Sequence, residues 1–325
     1  MSESGDYNPG PWSGYSFSSA RATYDRHVSR SYDDAKVAKI SPTKLVPDSL
    51  ETLSESPIVI ACDVTGSMEE WPATIFSKLP YLDLEGQEYM GKTMEISFAA
   101  IGDAHSDSYP LQVREFTSGK GLEKKLKELI IEKGGGGQIR ESYELAALYY
   151  ANNVKMPNAI NPMFIFIGDE GFYDMVSKEQ AKNWSRVSIN QKVSTKDVLD
   201  DLMKKYSVYL IRKPYGASSG DGMSMNDKTI YKQWASVLGE DRIAILPEAG
   251  RVVDVIFGLM ANETDRIKYF RKELEGRQTE GQVNTVLKSL NTVHALPDVK
   301  KLPSPSRGKS IMNESRKGKE ASKLI

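Results

Sequence analysis

The stretch Asp63-Val64-Thr65-Gly66-Ser67 offers one carboxylate and two hydroxyls at alternate positions. All three are oxygen donors, with no imidazole or thiolate among them. That set suits a hard cation such as Mg2+ (or Mn2+) and argues against Zn2+. In a turn, the i, i+2, i+4 spacing lets three side chains converge on one point, and Gly66 relieves the backbone where the turn is tightest. A second carboxylate, Asp169, follows the apolar run Phe164-Ile165-Phe166-Ile167 and has Glu170 beside it. A further donor is expected from the loop that opens a helix near Glu141, where a hydroxyl is favoured as a helix cap. The preceding glycines, Gly134 to Gly137, let that loop approach closely. Asp103, His105 and Asp107 share another loop and form an accessory candidate, Asp103 foremost.

Other chemistries fit less well. No Gly-Lys-Ser/Thr follows the glycine run, so a phosphate loop is not expected. Asp63 and Asp169 could in principle serve metal-assisted hydrolysis. However, His27, His105 and His294 are scattered, and adjacent Asp169 and Glu170 are expected to point apart. The chain therefore reads as a binding protein rather than an enzyme. Cys62 lies inside an apolar run and reads as buried and inert. Tyr143, Tyr149 and Tyr150 read as packing residues, and Trp71 as either a core residue or part of a partner surface.

The elements that must hold these residues follow from periodicity. Ile58 to Cys62 is a continuous apolar run, as suits a strand covered on both faces. Met94 to Ile101, Leu111 to Phe116, Pro162 to Ile167, Val208 to Ile211 and Arg242 to Leu246 also read as strands. The short polar link from Asp103 to Pro110 lets the second and third of these pair antiparallel at a sheet edge. Helices are expected over Trp71–Leu79, Leu122–Glu132, Glu141–Asn152, Lys196–Tyr206 and Ile230–Leu238, and over one long stretch from Val252 to about Glu275. Strands alternating with helices predict a doubly wound α/β fold with a mostly parallel central sheet and one antiparallel edge strand. Such sheets bind ligands beyond the carboxyl ends of their strands, where the strand order reverses.

With Asp63, Thr65 and Ser67 at one strand end and Asp169 at another, the chain resembles the von Willebrand factor A domains that carry a metal-ion-dependent adhesion site. The resemblance spans roughly Ser56 to Glu275 in element order. It implies a second-loop hydroxyl, which the Ala147-Leu148 pair places at Ser142, and an Asp in the third loop, here Asp169. The stretch Gln138-Ile139-Arg140-Glu141 departs from the usual Gly-Gly-Thr approach and keeps Glu141 as a rival to Ser142, with Glu170 as an accessory. The resemblance further implies that the ion leaves one position for an acidic residue of a protein partner. It also leaves open a partner of an AAA+ ATPase of the MoxR or chelatase type, and an accessory or structural protein of a bacteriophage.

Composition is compatible with these readings. The chain has 325 residues, 39% apolar and 27% charged, with a net charge of −1 and one cysteine. The balanced charge gives no field toward nucleic acid or an anionic membrane, and one cysteine excludes a disulfide framework. No apolar stretch nears the ~20 residues of a membrane helix. The N-terminus lacks a basic start before an apolar run, which predicts a cytoplasmic protein, in the host if phage-encoded. The expected organisation is an arm over residues 1–55, partly disordered and with a short helix around Ala20–Ala38. An A-type domain over 56–276, a C-terminal helix within 277–296 and a disordered basic tail over 297–325 complete it.

Overall fold

The computed structural model describes residues 42–68, 71–129, 139–215 and 223–294. The helix expected at Ala20–Ala38, the glycine run and the basic tail lie outside them. Six strands form the central sheet: β1 (Pro57–Asp63), β2 (Glu95–Ile101), β3 (Leu111–Val113), β4 (Met163–Gly168), β5 (Ser207–Arg212) and β6 (Ile243–Ile245). Their order is β6-β5-β4-β1-β2-β3, parallel except that β3 runs antiparallel to β2 at the edge. The expected doubly wound, mostly parallel sheet is therefore observed, including its one antiparallel edge strand.

Strand parity builds both faces. Ile58, Ile60 and Cys62 of β1 share one buried cluster with Met163, Ile165 and Ile167 of β4, whereas Val59 and Ala61 join Phe164 and Phe166 in the other. The first face is covered by α1 (Trp71–Met90), α2 (Lys120–Lys127), α6 (Val252–Glu263), α7 (Ile267–Arg277) and α8 (Glu280–His294). The second is covered by α3 (Tyr143–Asn153), α4 (Thr195–Met203) and α5 (Met225–Leu238). Strands buried on both sides need apolar residues at every position, which is why β1 and β4 read as unbroken runs. No helix among the described residues is long and apolar enough to cross a membrane.

Several element boundaries differ from expectation: α2 ends at Lys127, β3 ends at Val113 and α5 begins at Met225. Helix α1 continues through Pro80 to Met90 rather than stopping at Leu79. Pro80 removes one backbone donor, but Tyr81 and Tyr89 both pack on Phe257 of α6, at centroid distances of 5.3 and 5.6 Å, and hold the helix together beyond it. The long C-terminal helix is instead two. The Thr264 hydroxyl donates to the Met260 carbonyl at 2.8 Å, and Asp265 takes φ 58°. This left-handed conformation, which Asp tolerates better than most residues, breaks the helix and turns α7 back onto the core. The sequence predicts a helix around Val283 to Leu290; α8 extends past it at both ends, and its Val286 and Leu290 are fully buried in the main cluster. It belongs to the body of the fold. So do residues 45–51, where Leu45, Val46 and Leu50 are buried and Leu50–Glu51 pairs in parallel with Val154–Lys155.

Phe166 sits at the centre of the second face, 4.6 Å from Phe164, 5.3 Å from Trp234 and 5.9 Å from Tyr143, ring to ring. Phe166→Ala is expected to cost about 3–5 kcal/mol. A urea midpoint shift at unchanged slope measures it. A cost below about 1 kcal/mol would mean that this aromatic cluster is not packed as described.

Candidate metal centre

Strand order reverses between β1 and β4: from β1 the chain runs outward to β2 and β3, and from β4 it runs the other way to β5 and β6. A gap opens at such a reversal, beyond the carboxyl ends of the two strands. Asp63 is the last residue of β1, and Asp169 directly follows β4. Both are fully buried.

The first turn folds around Asp63. Its Oδ1 accepts from the Thr65 backbone N–H at 2.8 Å and from the Thr65 hydroxyl at 2.6 Å. Its Oδ2 accepts from the Tyr143 hydroxyl at 2.8 Å. The Ser67 hydroxyl donates to Asp169 Oδ1 at 3.1 Å, which joins the two strand ends. Asp63, Thr65, Ser67 and Asp169 are thus brought together as the sequence predicts. Each hydroxyl has one proton to give. Thr65 hydrogen-bonds Asp63 and Ser67 hydrogen-bonds Asp169, and the two hydroxyl oxygens lie within hydrogen-bond distance of each other, at 3.2 Å. Two hydroxyl oxygens and two carboxylates are thus gathered in one cluster.

Ser142 is placed differently. It sits at the N-cap of α3 but makes no side-chain cap bond. Its hydroxyl oxygen instead accepts from the Ala104 backbone N–H at 2.9 Å, while its own N–H donates to the Gly102 carbonyl at 3.0 Å. It ties the helix start to the β2–β3 loop, and no hydrogen bond joins it to the four residues above among the described contacts. Asp103 is engaged in that same loop: it accepts from the His105 N–H, the Tyr173 hydroxyl and the Ser106 hydroxyl. His105 lies on the Tyr173 ring at 4.5 Å, and Asp107 accepts from the Asp103 N–H. Among the described residues no three Asp, Glu, His or Cys side chains are grouped closely enough to hold an ion by themselves. Any ion site here draws on the hydroxyls as well.

A two-residue parallel ladder pairs Arg140–Glu141 with Gly171–Phe172 and ties the second loop to the third. Glu141 Oε2, Glu170 Oε2 and Asp169 Oδ2 are buried without a hydrogen-bond partner. The local field is strongly negative. Burial, then the Asp169 charge, pushes Asp63 up to about 8. Burial with the charges of Asp63, Glu170 and Asp103 pushes Glu141 up to about 11. Burial raises Glu170 to about 7 and also raises Asp169, the latter against the pull of Lys213 and the Ser67 hydrogen bond.

These shifts have a measurable sign. Carboxyls ordinarily titrate near about 4. Between that value and the raised native ones, the folded state holds more protons than the unfolded state, so stability falls as pH rises. In a chelator, the melting temperature is expected to fall from about pH 4 through the Asp63 value of about 8. A divalent ion that binds only the ionised carboxylates should reverse that slope. A melting temperature that rises across this window in chelator would contradict the burial described for these four groups.

Two participants were not singled out from sequence. Tyr143 reads as a packing residue, and its ring does pack on Trp234 at 5.2 Å, but its hydroxyl also fixes Asp63. It reaches Asp63 because residue 168 is glycine: a Cβ there would lie 1.8 Å from the Tyr143 hydroxyl. Lys213, just beyond β5, brings its ammonium to 3.6 Å from Asp169 Oδ2 and donates to the Ser67 carbonyl. Its one signal in the sequence is a charge directly after a buried strand. Trp71 is buried in the core, so it presents no face to a partner. Cys62 is buried, as expected, and burial raises its thiol well above the ordinary value.

No family model and no curated relative matches the chain. Among solved structures, the pilus adhesin SpaC from Lactobacillus rhamnosus GG is similar at 12% identity and a TM-score of 0.46, over 69% of this chain and 32% of the adhesin. Its open conformation gives 11% identity and a TM-score of 0.47, over 69% and 31%. Proximal thread matrix protein 1 from the mussel byssus is similar at 10% identity and a TM-score of 0.42, over 66% of this chain and 49% of that one. The chain spans about a third of the adhesin and about half of the matrix protein.

Proposed function

We propose that the pole of the sheet carrying Asp63 and Asp169 binds Mg2+ or Mn2+ and, through the ion, an acidic side chain of a protein partner. One observation carries the reading. Two hydroxyl oxygens 3.2 Å apart and two fully buried carboxylates converge at the strand-order reversal. The donor set is all oxygen, which fits a hard cation. The buried Oδ2 of Asp169, which accepts no hydrogen bond, fits it as well.

Thr65 and Ser67 would supply hydroxyl oxygens, and Asp63 and Asp169 the negative charge. Tyr143 and the Thr65 amide hold Asp63 in one rotamer, so the site is preorganised rather than assembled on binding. A bound ion would act there as an electrophile with coordination capacity left for an external carboxylate. Among the described residues His105 is engaged with the Tyr173 ring, and binding rather than turnover is the reading. The match of Asp63, Thr65, Ser67 and Asp169 to the von Willebrand factor A pattern supports the same reading.

The test uses peptides carrying a single exposed Glu, paired with their Gln counterparts, on the immobilised protein. Retention is expected with Mn2+ present and to be lost both in EDTA and on Glu→Gln exchange. Retention that survives EDTA would sink the reading.

A further inference from the structure

Lys213 stands where its charge matters most. Its backbone N–H donates to the Gly168 carbonyl at 2.9 Å, which anchors it against the end of β4. From there its ammonium spans the two loops that face the candidate centre, donating to the Ser67 carbonyl of the first and lying 3.6 Å from Asp169 Oδ2 of the third. The nearby guanidinium of Arg212 is committed elsewhere, paired with Asp227, and touches Asp169 only through the backbone carbonyl. So, among the described residues, Lys213 is the cation that meets the Asp169 carboxylate. Its side chain is 14% exposed, so it is not sealed inside the core as Asp169 is. Buried carboxylates are costly without a counter-charge, and a flexible four-carbon stem suits a counter-charge that can leave.

We propose that Lys213 is a tethered competitor of the divalent ion: its ammonium neutralises Asp169 and bridges the Ser67 and Asp169 loops while the site is ion-free, and it must withdraw when the ion enters. The inference rests on the metal-binding reading above. Lys213 thereby sets the affinity of the site, holding it weak enough to release its ion. A positive charge beside Asp169 opposes an incoming cation strongly, even at the effective dielectric of a protein surface, and moving it away costs the Asp169 contact. Removing that charge at constant shape is therefore expected to tighten ion binding by at least about tenfold.

The experiment titrates Mn2+ into the full chain, reading free Mn2+ by electron paramagnetic resonance, for wild type, Lys213→Met, Lys213→Arg and Asp169→Asn. Thermal unfolding checks that each variant is folded. Lys213→Met binding at least about tenfold tighter than wild type, with Lys213→Arg no tighter than wild type, supports the competitor role. Binding by Lys213→Met alone, with none by wild type, supports it in its strongest form. Equal or weaker binding by Lys213→Met, with wild type binding and Asp169→Asn not, overturns the competitor role and leaves the metal site standing. Tightening in Lys213→Arg as well as Lys213→Met assigns the effect to shape and also overturns it. No binding by any folded variant overturns both readings. A stability crossover gives an independent check. Lys213→Met should melt below wild type in EDTA, and millimolar Mn2+ should raise its melting temperature more than it raises that of wild type.

Discussion

In millimolar Mn2+ or Mg2+, wild-type protein is expected to melt at a higher temperature than in EDTA, and Asp63→Ala is expected to abolish that difference. An ion present at ten times its dissociation constant adds about 1.4 kcal/mol to the native state if it binds only that state, and about 2.7 kcal/mol at a hundred times. For a domain of this size each kcal/mol moves the melting temperature by about 2–4 °C. Asp63 is the hub of its turn. It accepts three hydrogen bonds, from the Thr65 amide, the Thr65 hydroxyl and Tyr143. Its truncation removes one of the two carboxylates and frees both Thr65 and Tyr143 to reorient. In EDTA the variant is expected to lose less, because burial beside Asp169 disfavours the Asp63 charge. An equal Mn2+ shift in wild type and variant would place the ion elsewhere.

The second large effect lies under the site. Arg212 and Asp227 form an ion pair that is almost entirely buried, and Asp227 also accepts from the Ser224 hydroxyl and the Tyr215 N–H. Arg212 Nε and Nη1 have no other partner. Asp227→Ala leaves the guanidinium buried and uncompensated, which is expected to cost about 3–5 kcal/mol in chemical denaturation. The double replacement Arg212→Met with Asp227→Leu should recover much of that loss, since apolar residues of similar volume often substitute for a buried pair. The pair also fixes an acid limit. Burial opposes the Asp227 charge, but the hydrogen bonds from Ser224, Arg212 and Tyr215 outweigh it and hold the carboxyl below its ordinary value. A depressed carboxyl stabilises the fold above its unfolded value of about 3.9, and that share is lost as pH falls through the native one. A double variant no more stable than Asp227→Ala alone would count against this account.

The sheet was legible because parallel strands covered on both sides must be apolar throughout, and Ile58–Cys62 and Met163–Ile167 are. Asp63 and Asp169 stood out because each ends such a run. The helix boundaries were less legible. Pro80 is a valid stop signal by local rules, overridden here by the contacts of Tyr81 and Tyr89 with Phe257, which lie far along the chain. The break at Thr264–Asp265 depends on a hydroxyl and a left-handed residue that many helices tolerate near their ends. Ser142 illustrates a different limit. Its position before α3 is as expected, but the direction of its hydroxyl is set by the Ala104 amide, a partner nearly forty residues away. Tyr143 and Lys213 carry no local signal of their role, because each is defined by what another strand end brings to it.

Gly168 and Tyr143 together constrain how this sequence can vary. The ring that steadies Asp63 fills the space that any side chain at 168 would need. The two positions therefore behave as one heritable unit. A chain of this lineage that acquires alanine or serine at 168 must shorten residue 143 in compensation, and with that change it forfeits the hydrogen bond to the Asp63 carboxylate. Paired change at 143 and 168 is the expected mark of this constraint in any related sequence.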